Sequence, residues 1–185
     1  MIKSKFVEMF EGKDFAYKPI EKISKELFAG GDKPDDYSLK YNEVYKYPVF
    51  SNGKSGNDLL CYCKEYRVSE PALTISARGT IGYTTIREAH FTPVVRLITL
   101  IPNDEVNLSY LKCCIDNLNL EKNGSGAGQL TVPDFSKYQI MVPPKQLQIE
   151  FKDFADLCDK LKFEAQERLG KLNTAREKLI DKYFR

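Results

Sequence analysis

The sequence predicts an α+β fold, with a small, mixed, β-rich domain followed by one long C-terminal helix. Between Tyr47 and Ile101, short runs of β-branched and aromatic residues alternate with clusters of Gly, Pro and Asn, as in a sheet of short strands. After Pro143, apolar residues recur at alternating spacings of four and three with charged residues between them, which is typical of a coiled-coil helix. We therefore expect a domain over residues 1–143 and a helical region over residues 144–185.

Local patterns place the individual elements. The predicted helices show apolar residues at helical spacing, and Gly12 ends the first of them. Pro143 and Pro144 end the last strand, because proline has no backbone donor for a sheet. The predicted short helices are residues 1–12, 20–28 and 108–118, and the predicted strands are Tyr47–Phe50, Ala72–Ser76, Thr80–Thr84, Val94–Ile101 and Tyr138–Val142.

The apolar seam of the long helix slips one place at Leu169, beside Gly170, and resumes at Leu172. One uncapped helix of about 60 Å is expected from this stretch. Such a helix either lies on the body of its own domain or forms a coiled-coil arm. In the second interpretation, the residues that contact a second copy or a partner are Leu147, Phe151, Phe154, Cys158, Leu161, Leu169, Leu172, Leu179 and Tyr183.

The charge of the chain gives weak information about its partners. Its 185 residues carry a formal net charge of +2, and the first 144 residues hold eighteen basic and eighteen acidic groups. A globular part without net charge is not typical of strong nucleic-acid attraction. Residues 40–100 nevertheless hold eight basic and five acidic groups, which leaves room for a local basic face.

Neither disulfides nor a metal site are expected. The five cysteines are odd in number, and their spacing lacks the Cys-x-x-Cys pattern of structural zinc. His90 is the only histidine, and no apolar run reaches the length of a membrane span. The N-terminus does not resemble a signal peptide. We therefore expect a soluble, cytoplasmic protein without cofactor, metal or membrane segment.

Two turns are candidates for contact with phosphate or bases. Asn52-Gly53-Lys54-Ser55 resembles the end of a P-loop, but Pro48 stands where that loop needs its first glycine, so ATP binding is not expected. Lys54 and Ser55 either contact a phosphate or lie in a solvated turn. Arg78 lies in a Gly-bearing turn between predicted strands and is suited to guanine or phosphate; the alternative is pairing with a carboxylate.

A third candidate is the Gly-rich loop that ends at Gly128. It follows no predicted strand and opens no long helix, so it does not fit a dinucleotide site. Its backbone amides could bond DNA phosphates, and Gln129 or Thr131 could reach a base edge. The alternative is a plain connector.

The sequence shows no catalytic constellation. His90 lies among apolar residues, and no Ser or Cys occurs in a nucleophile elbow. The tetrapeptide of adenine methyltransferases, Asn/Asp-Pro-Pro-Tyr/Phe, is absent, because Val142 precedes the two prolines and Lys145 follows them. This favours a binding module.

The order of these features resembles the specificity subunits of type I restriction-modification systems. The resemblance rests on Ile75-Ser-Ala-Arg-Gly-Thr-Ile-Gly82, on Gln129-Leu-Thr-Val-Pro133, and on Ile140-Met-Val-Pro-Pro144 followed by Gln146, Gln148 and a long charged helix. The two termini agree with it, since Leu179-Ile-Asp-Lys-Tyr-Phe184 and Lys3-Ser-Lys-Phe-Val-Glu-Met-Phe10 look like the ends of the family's conserved helices.

The resemblance implies a half-length form, with one target-recognition domain and one conserved helix where a complete subunit has two of each. It implies a non-catalytic subunit that reads one half of a bipartite site in double-stranded DNA. The implied partners are a modification methyltransferase, a restriction subunit and a second copy of the chain, which pairs through the helix. The residues expected on chemical grounds to contact DNA are Lys54, Ser55, Arg78, Thr80, Gln129 and Thr131.

Two other classes remain open at this point. One is a coiled-coil scaffold that binds proteins and no DNA, and the other is an enzyme with an unrecognised site. Salt-dependent DNA binding distinguishes the first of these from a DNA reader, because neutralised phosphates release counterions.

Overall fold

The computed structural model describes residues 1–54, 56–118, 120 and 128–184. In chain order the elements are α1 (Ile2–Phe10), β1 (Ala16–Pro19), α2 (Ile20–Ile23), β2 (Ser24–Ala29), β3 (Tyr47–Phe50), β4 (Leu59–Cys63), β5 (Ala72–Ile75), β6 (Thr84–Arg87), β7 (Thr92–Pro93), β8 (Ile98–Pro102), α3 (Leu108–Asn117), α4 (Val132–Phe135), β9 (Gln139–Val142) and α5 (Lys145–Phe184). The predicted α+β fold with a long C-terminal helix is confirmed.

The strands form three small sheets. The largest is antiparallel, in the order β2-β8-β5-β6. The second has the order β4-β3-β7, and in it β3 and β7 run parallel, so the β structure as a whole is mixed. The third joins β1 to β9, which brings the chain entering the domain beside the chain leaving it.

The main core lies between the four-stranded sheet and the helices α1, α3 and α5. Four aromatic rings meet at its centre. The ring centroid of Phe10 is 4.9 Å from that of Tyr110 and 5.5 Å from that of Phe151, and the centroid of Phe6 is 5.6 Å from that of Phe151. These rings come from three helices, so α1 and the root of α5 are packed together.

Two polar side chains of this core, Tyr110 and Cys114, are kept neutral by burial. Tyr110 donates its hydroxyl to the Met141 carbonyl at 3.0 Å, and burial raises the pKa of Tyr110. Burial likewise raises the pKa of the Cys114 thiol to about 12. Both groups therefore stay neutral at physiological pH, as their burial among apolar side chains requires.

Gln148 fixes the start of α5 to the domain. Its side chain is fully buried. The amide nitrogen donates to the carbonyls of Pro143 at 2.8 Å and Glu105 at 3.0 Å, and the amide oxygen accepts from the backbone nitrogen of Asn107 at 2.7 Å. A buried amide that satisfies three backbone groups holds the helix in one orientation, because each lost bond would leave a desolvated polar atom.

A buried ion pair joins the two larger sheets. Asp58, just before β4, pairs with Arg87 of β6, and both side chains are almost fully buried. The guanidinium of Arg87 also lies 3.8 Å from the ring centroid of Phe50 and donates to Thr74 Oγ1 at 3.2 Å. The pair orients the sheets, since removal of either partner would leave a buried charge without compensation.

The helix α5 leaves the domain after Ala155. Ala155 is buried, whereas Leu161, Leu169 and Leu172 are more than half exposed. The first three turns therefore lie on the domain and the remaining turns project from it. Within the described part of the chain, no helix is both long and apolar enough to cross a membrane.

The predicted boundaries of two strands and one helix were wrong. The predicted helix 20–28 ends at Ile23, because Ser24–Ala29 pairs with β8 as a strand. Residues 80–83 of the predicted strand Thr80–Thr84 form a turn that leads into β6, and the strand predicted from Val94 begins only at Ile98. The strands β1, β4 and β7 were not predicted. Pairing with distant segments outweighed local propensity at each of these places.

The structure predicts a large difference between two phenylalanines of α5. Replacing Phe151 by Ala should lower the free energy of unfolding by about 3–5 kcal/mol, because it leaves a cavity among buried rings. Phe163 is 65% exposed on the same helix, and its replacement by Ala should change that energy by no more than about 0.5 kcal/mol. Urea denaturation followed by circular dichroism measures both. Equal losses in the two variants would contradict the packing described for the helix root.

Candidate nucleic-acid interface

Three turns of the domain meet at the side chain of Asn52, which lies just after β3. Its amide oxygen accepts a hydrogen bond from the Ala77 backbone nitrogen at 2.7 Å, and it lies 3.3 Å from the Ser76 hydroxyl. Its amide nitrogen donates to the carbonyl of Val95 at 2.6 Å. One carboxamide thus joins the turn after β3, the loop after β5 and the turn before β8.

The loop after β5, residues 76–83, presents Arg78 at its exposed side. Ser76 donates its hydroxyl to the Arg78 carbonyl at 3.0 Å, and the backbone nitrogen of Gly82 donates to the Ser76 carbonyl at 2.9 Å. Gly79 adopts a φ of 69°, a conformation that favours glycine. The predicted turn therefore exists, with a compact backbone that fixes where Arg78 begins.

Arg78 and Gln129 are brought together, although they are distant in sequence. The guanidinium donates to the Gln129 amide oxygen from Nε at 3.0 Å and from Nη2 at 2.7 Å. The backbones of the two residues form a β-bridge, and Leu130 donates its backbone nitrogen to the Ala77 carbonyl at 2.9 Å. Among the described residues Arg78 has a neutral partner instead of the carboxylate considered from sequence, so its positive charge is not cancelled.

Thr80 and Lys54 line the same open groove, whose volume is about 580 Å³. Lys3 and Lys112 line it as well, and Lys112 pairs with Asp116 at 2.6 Å. The hydroxyl of Thr80 donates to that of Ser76 at 3.3 Å. Ser55 and residues 121–127 of the Gly-rich loop lie outside the described residues.

Thr131 has a structural task in its own segment. Its hydroxyl accepts from the Asp134 backbone nitrogen at 3.3 Å and donates to the Asp134 carboxylate at 2.6 Å. It is therefore the N-cap of α4, a common role for threonine at a helix start. The short helix holds the backbone just after Gln129.

Sequence reasoning missed two residues of this surface. Asn52 was considered only as part of a turn motif, and its bonds to the other two turns depend on tertiary contacts. Arg96 lies within an apolar stretch of sequence that predicts a strand, but in the structure it is exposed in the turn before β8. Only its charge within that run could have marked it.

The surface suits contact with a polyanion that also carries hydrogen-bonding edges. Arginine and lysine bind phosphate, and arginine and glutamine side chains can donate to base edges. His90 lies elsewhere and packs against Tyr66 with ring centroids 4.4 Å apart, in agreement with a structural role. Among the described residues, no group of three or more His, Cys, Asp or Glu side chains could hold a metal ion.

The predicted partner-contact residues of α5 fall into different environments. Phe151 is a correction, because it lies fully buried in the core of its own domain and is not available to a second helix. Leu147 packs against the same core, and Phe154 and Cys158 are half-buried. Leu161, Leu169, Leu172 and Leu179 are exposed, and the side chain of Tyr183 lies outside the described part.

Comparison with known proteins identifies a matching family model and several similar proteins that are named as type I specificity subunits. Residues 15–174 match the family model described as the type I restriction modification DNA specificity domain. A Mycoplasma pneumoniae protein named as a type I specificity subunit, S.MpnORF507P, is 38% identical over 140 residues, covering 76% of this chain and 39% of that protein. A second such M. pneumoniae protein, S.MpnORF89P, is 39% identical over 145 residues, covering 78% of this chain and 42% of that protein. The chain thus spans about two fifths of the length of these relatives.

Solved structures show the same fold. The HsdS subunit from Thermoanaerobacter tengcongensis matches with a TM-score of 0.65 and 19% identity over 90% of this chain and 44% of that chain. The type I restriction-modification S subunit from M. genitalium matches with a TM-score of 0.72 and 16% identity over 97% of this chain and 51% of that chain. Because the match to the family model covers residues 15–174, most of the chain, the chain belongs to the family of type I restriction modification DNA specificity domains.

Proposed function

We propose that this chain is the DNA-reading element of a type I restriction-modification complex and has no catalytic activity of its own. The observation that carries the proposal is a pair of contacts: Asn52 accepts a hydrogen bond from the loop of Arg78, and Arg78 donates to Gln129. A side chain held by backbone bonds and an amide partner is pre-organised, which is what sequence-specific contact requires.

The residues proposed to contact DNA divide by chemistry. Arg78 and Gln129 supply hydrogen bonds to base edges, and Lys54 supplies a phosphate contact. Thr80 lines the same groove as Lys54, and its hydroxyl supplies a contact to the DNA strand whose phosphate Lys54 contacts. Ser55 and Thr131 complete the set, and the capping bonds of Thr131 restrict it to contacts that its second lone pair can make.

The proposed partners are double-stranded DNA, a modification methyltransferase and a restriction subunit, and the proposed location is the cytoplasm. The exposed apolar residues of the projecting part of α5 support pairing with a second copy of the chain. Leu161, Leu169, Leu172 and Leu179 are each more than half exposed, which is unfavourable for a helix that stays in water. In a two-fold pair, α5 acts as a spacer that sets the distance between two readers.

A scaffold that binds a foreign helix and no DNA is the second candidate, and the same exposed residues favour it. A DNA-binding experiment distinguishes the DNA reader from the scaffold. The complex of this chain with its methyltransferase is titrated with a DNA duplex, and the affinity is measured at several salt concentrations. A DNA reader loses affinity as salt rises, because phosphate contacts release counterions. A scaffold shows no such binding.

Replacing Arg78 by Ala should weaken binding to the target duplex by about 1–3 kcal/mol and relax the choice of base at one position. The reason is the loss of a bidentate donor aimed at a base edge. Fluorescence anisotropy with target and single-mismatch duplexes measures both effects. The control is Arg176→Ala, which removes the same charge from the projecting helix. Unchanged affinity and unchanged base choice in the Arg78 variant would remove it from the interface.

If two copies pair about a two-fold axis, the recognised site should be palindromic and bipartite, because identical readers meet identical half-sites. Sequencing of methylated adenines in cells that express this chain with its methyltransferase reveals the site. The same chain must be shown by light scattering to be a dimer in that complex. An asymmetric site read by such a homodimer would contradict the pairing.

Deleting residues 162–168 should shorten the gap between the half-sites while pairing persists. Seven residues remove about 10 Å of helix. The deletion also preserves the seam, since Leu172 then takes the place of Ala165 in the heptad. Methylation sequencing measures the gap, and a variant with Lys162 and Glu164 replaced by Ala at full length serves as the control. A gap that stays fixed in a dimer would show that the helix is not the spacer.

A further inference from the structure

The turn between β7 and β8 has an unfavourable backbone conformation. Val95 has a φ of 53° and Arg96 a φ of 60°, so two consecutive residues that are not glycine lie in the left-handed region. This region is costly for side-chain-bearing residues, and most of all for β-branched valine. Such a turn persists only if its surroundings hold it, and backbone strain of this kind clusters at functional sites.

Two glycines and one asparagine hold the turn. The backbone nitrogens of Val95 and Arg96 donate to the carbonyls of Gly31 at 2.8 Å and Gly30 at 3.0 Å. A Cβ on Gly30 would lie only 2.6 to 2.7 Å from backbone atoms of Pro93 and Val94, where β7 enters the turn, so glycine is needed for this close approach. Asn52 adds a bond to the Val95 carbonyl at 2.6 Å.

The turn presents a cationic side chain, that of Arg96, to solvent. Arg96 is exposed, and within the described residues it forms no ion pair, ring contact or side-chain hydrogen bond. The other arginines of the domain differ in this respect: Arg67 lies 4.6 Å from the ring centroid of Phe28, Arg87 pairs with Asp58, and Arg78 binds Gln129. A strained, firmly held turn that carries an unpaired arginine points to an anionic ligand.

We propose that Arg96 is a further DNA-contacting residue and that Asn52 is the positioning residue that keeps it in register with Arg78. This inference rests on the proposed function. Arg78 and Arg96 each directly follow a residue that Asn52 bonds, namely Ala77 and Val95. The carboxamide accepts from one turn through its oxygen and donates to the other through its nitrogen at the same time. The spacing of the two cations along the DNA is therefore set by one side chain.

The test compares six forms of the full chain, each in complex with its methyltransferase: wild type, Arg78→Ala, Arg96→Ala, Arg96→Lys, Asn52→Asp and Arg176→Ala. Asn52→Asp keeps the size of the side chain and its acceptor, but it loses the donor to the Val95 carbonyl. Anisotropy titrations with the target duplex and with single-mismatch duplexes are run at several salt concentrations. Thermal unfolding of each form is recorded beside them.

Arg96→Ala should weaken binding about tenfold or more and lower the slope of log affinity against log salt by about 1. Arg96→Lys should restore the slope, since it restores the charge. Asn52→Asp keeps both arginines, so it should reduce the preference for target over mismatched duplex by at least about tenfold. A residue with a purely structural role would lower the unfolding temperature and leave that preference unchanged. The Arg176→Ala control should match wild type.

Equal affinity and equal salt slope in wild type and Arg96→Ala, with Arg78→Ala impaired, would overturn the role of Arg96 and leave the proposed function intact. An unchanged mismatch preference in folded Asn52→Asp would overturn the positioning role. Absence of DNA binding by the wild-type complex at every salt concentration would overturn the proposed function itself, and this inference with it. The three failures are therefore distinguishable.

Discussion

The packing of Phe151 against Phe6, Phe10 and Tyr110 is the contact on which the rest of the molecule depends. These rings come from the first helix, from α3 and from the root of α5, with the ring centroids of neighbouring pairs between 4.9 and 6.3 Å apart. Edge-to-face contacts of this kind add to the burial of large apolar surfaces. They join α1 and the root of α5 to one core, and with Gln148 they fix the direction in which the long helix leaves the domain.

That fixed direction matters for the proposed function, in which the loops read DNA and the helix sets a distance. In the proposed pair, a helix that pivoted at its root could not hold one reader at a defined distance from the other. The buried amide of Gln148 prevents this through three backbone bonds, at a position that is closed to solvent. The projecting part of the helix, by contrast, leaves its leucines exposed.

The polar contacts of the domain place the loops in a similar way. The buried pair of Asp58 and Arg87 orients one sheet against the other, and Asn52 connects the turns that these sheets present. The candidate interface is thus assembled from segments that are distant in sequence. Its cations stand on backbones that are fixed before any ligand arrives, which reduces the entropy lost on binding.

The sequence by itself determined the features that depend on local spacing. The long helix, the helices α1 and α3 and the strands β3, β5 and β9 follow from periodicity and from Gly and Pro at their ends, and the resemblance to the family follows from short motifs. The turn of Arg78 was predicted for the same reason. The distal leucines predicted to contact a partner are exposed, and that contact stays a prediction.

Only the tertiary structure decided what depends on partners far along the chain. β2 is a strand because β8 pairs with it, and Phe151 leaves the seam because three aromatic rings surround it. The bond from Arg78 to Gln129 spans fifty-one residues, and the left-handed turn of Arg96 exists because Gly30 and Asn52 hold it. Local propensity contains no information about such contacts, since their free energy arises only when the distant segments meet.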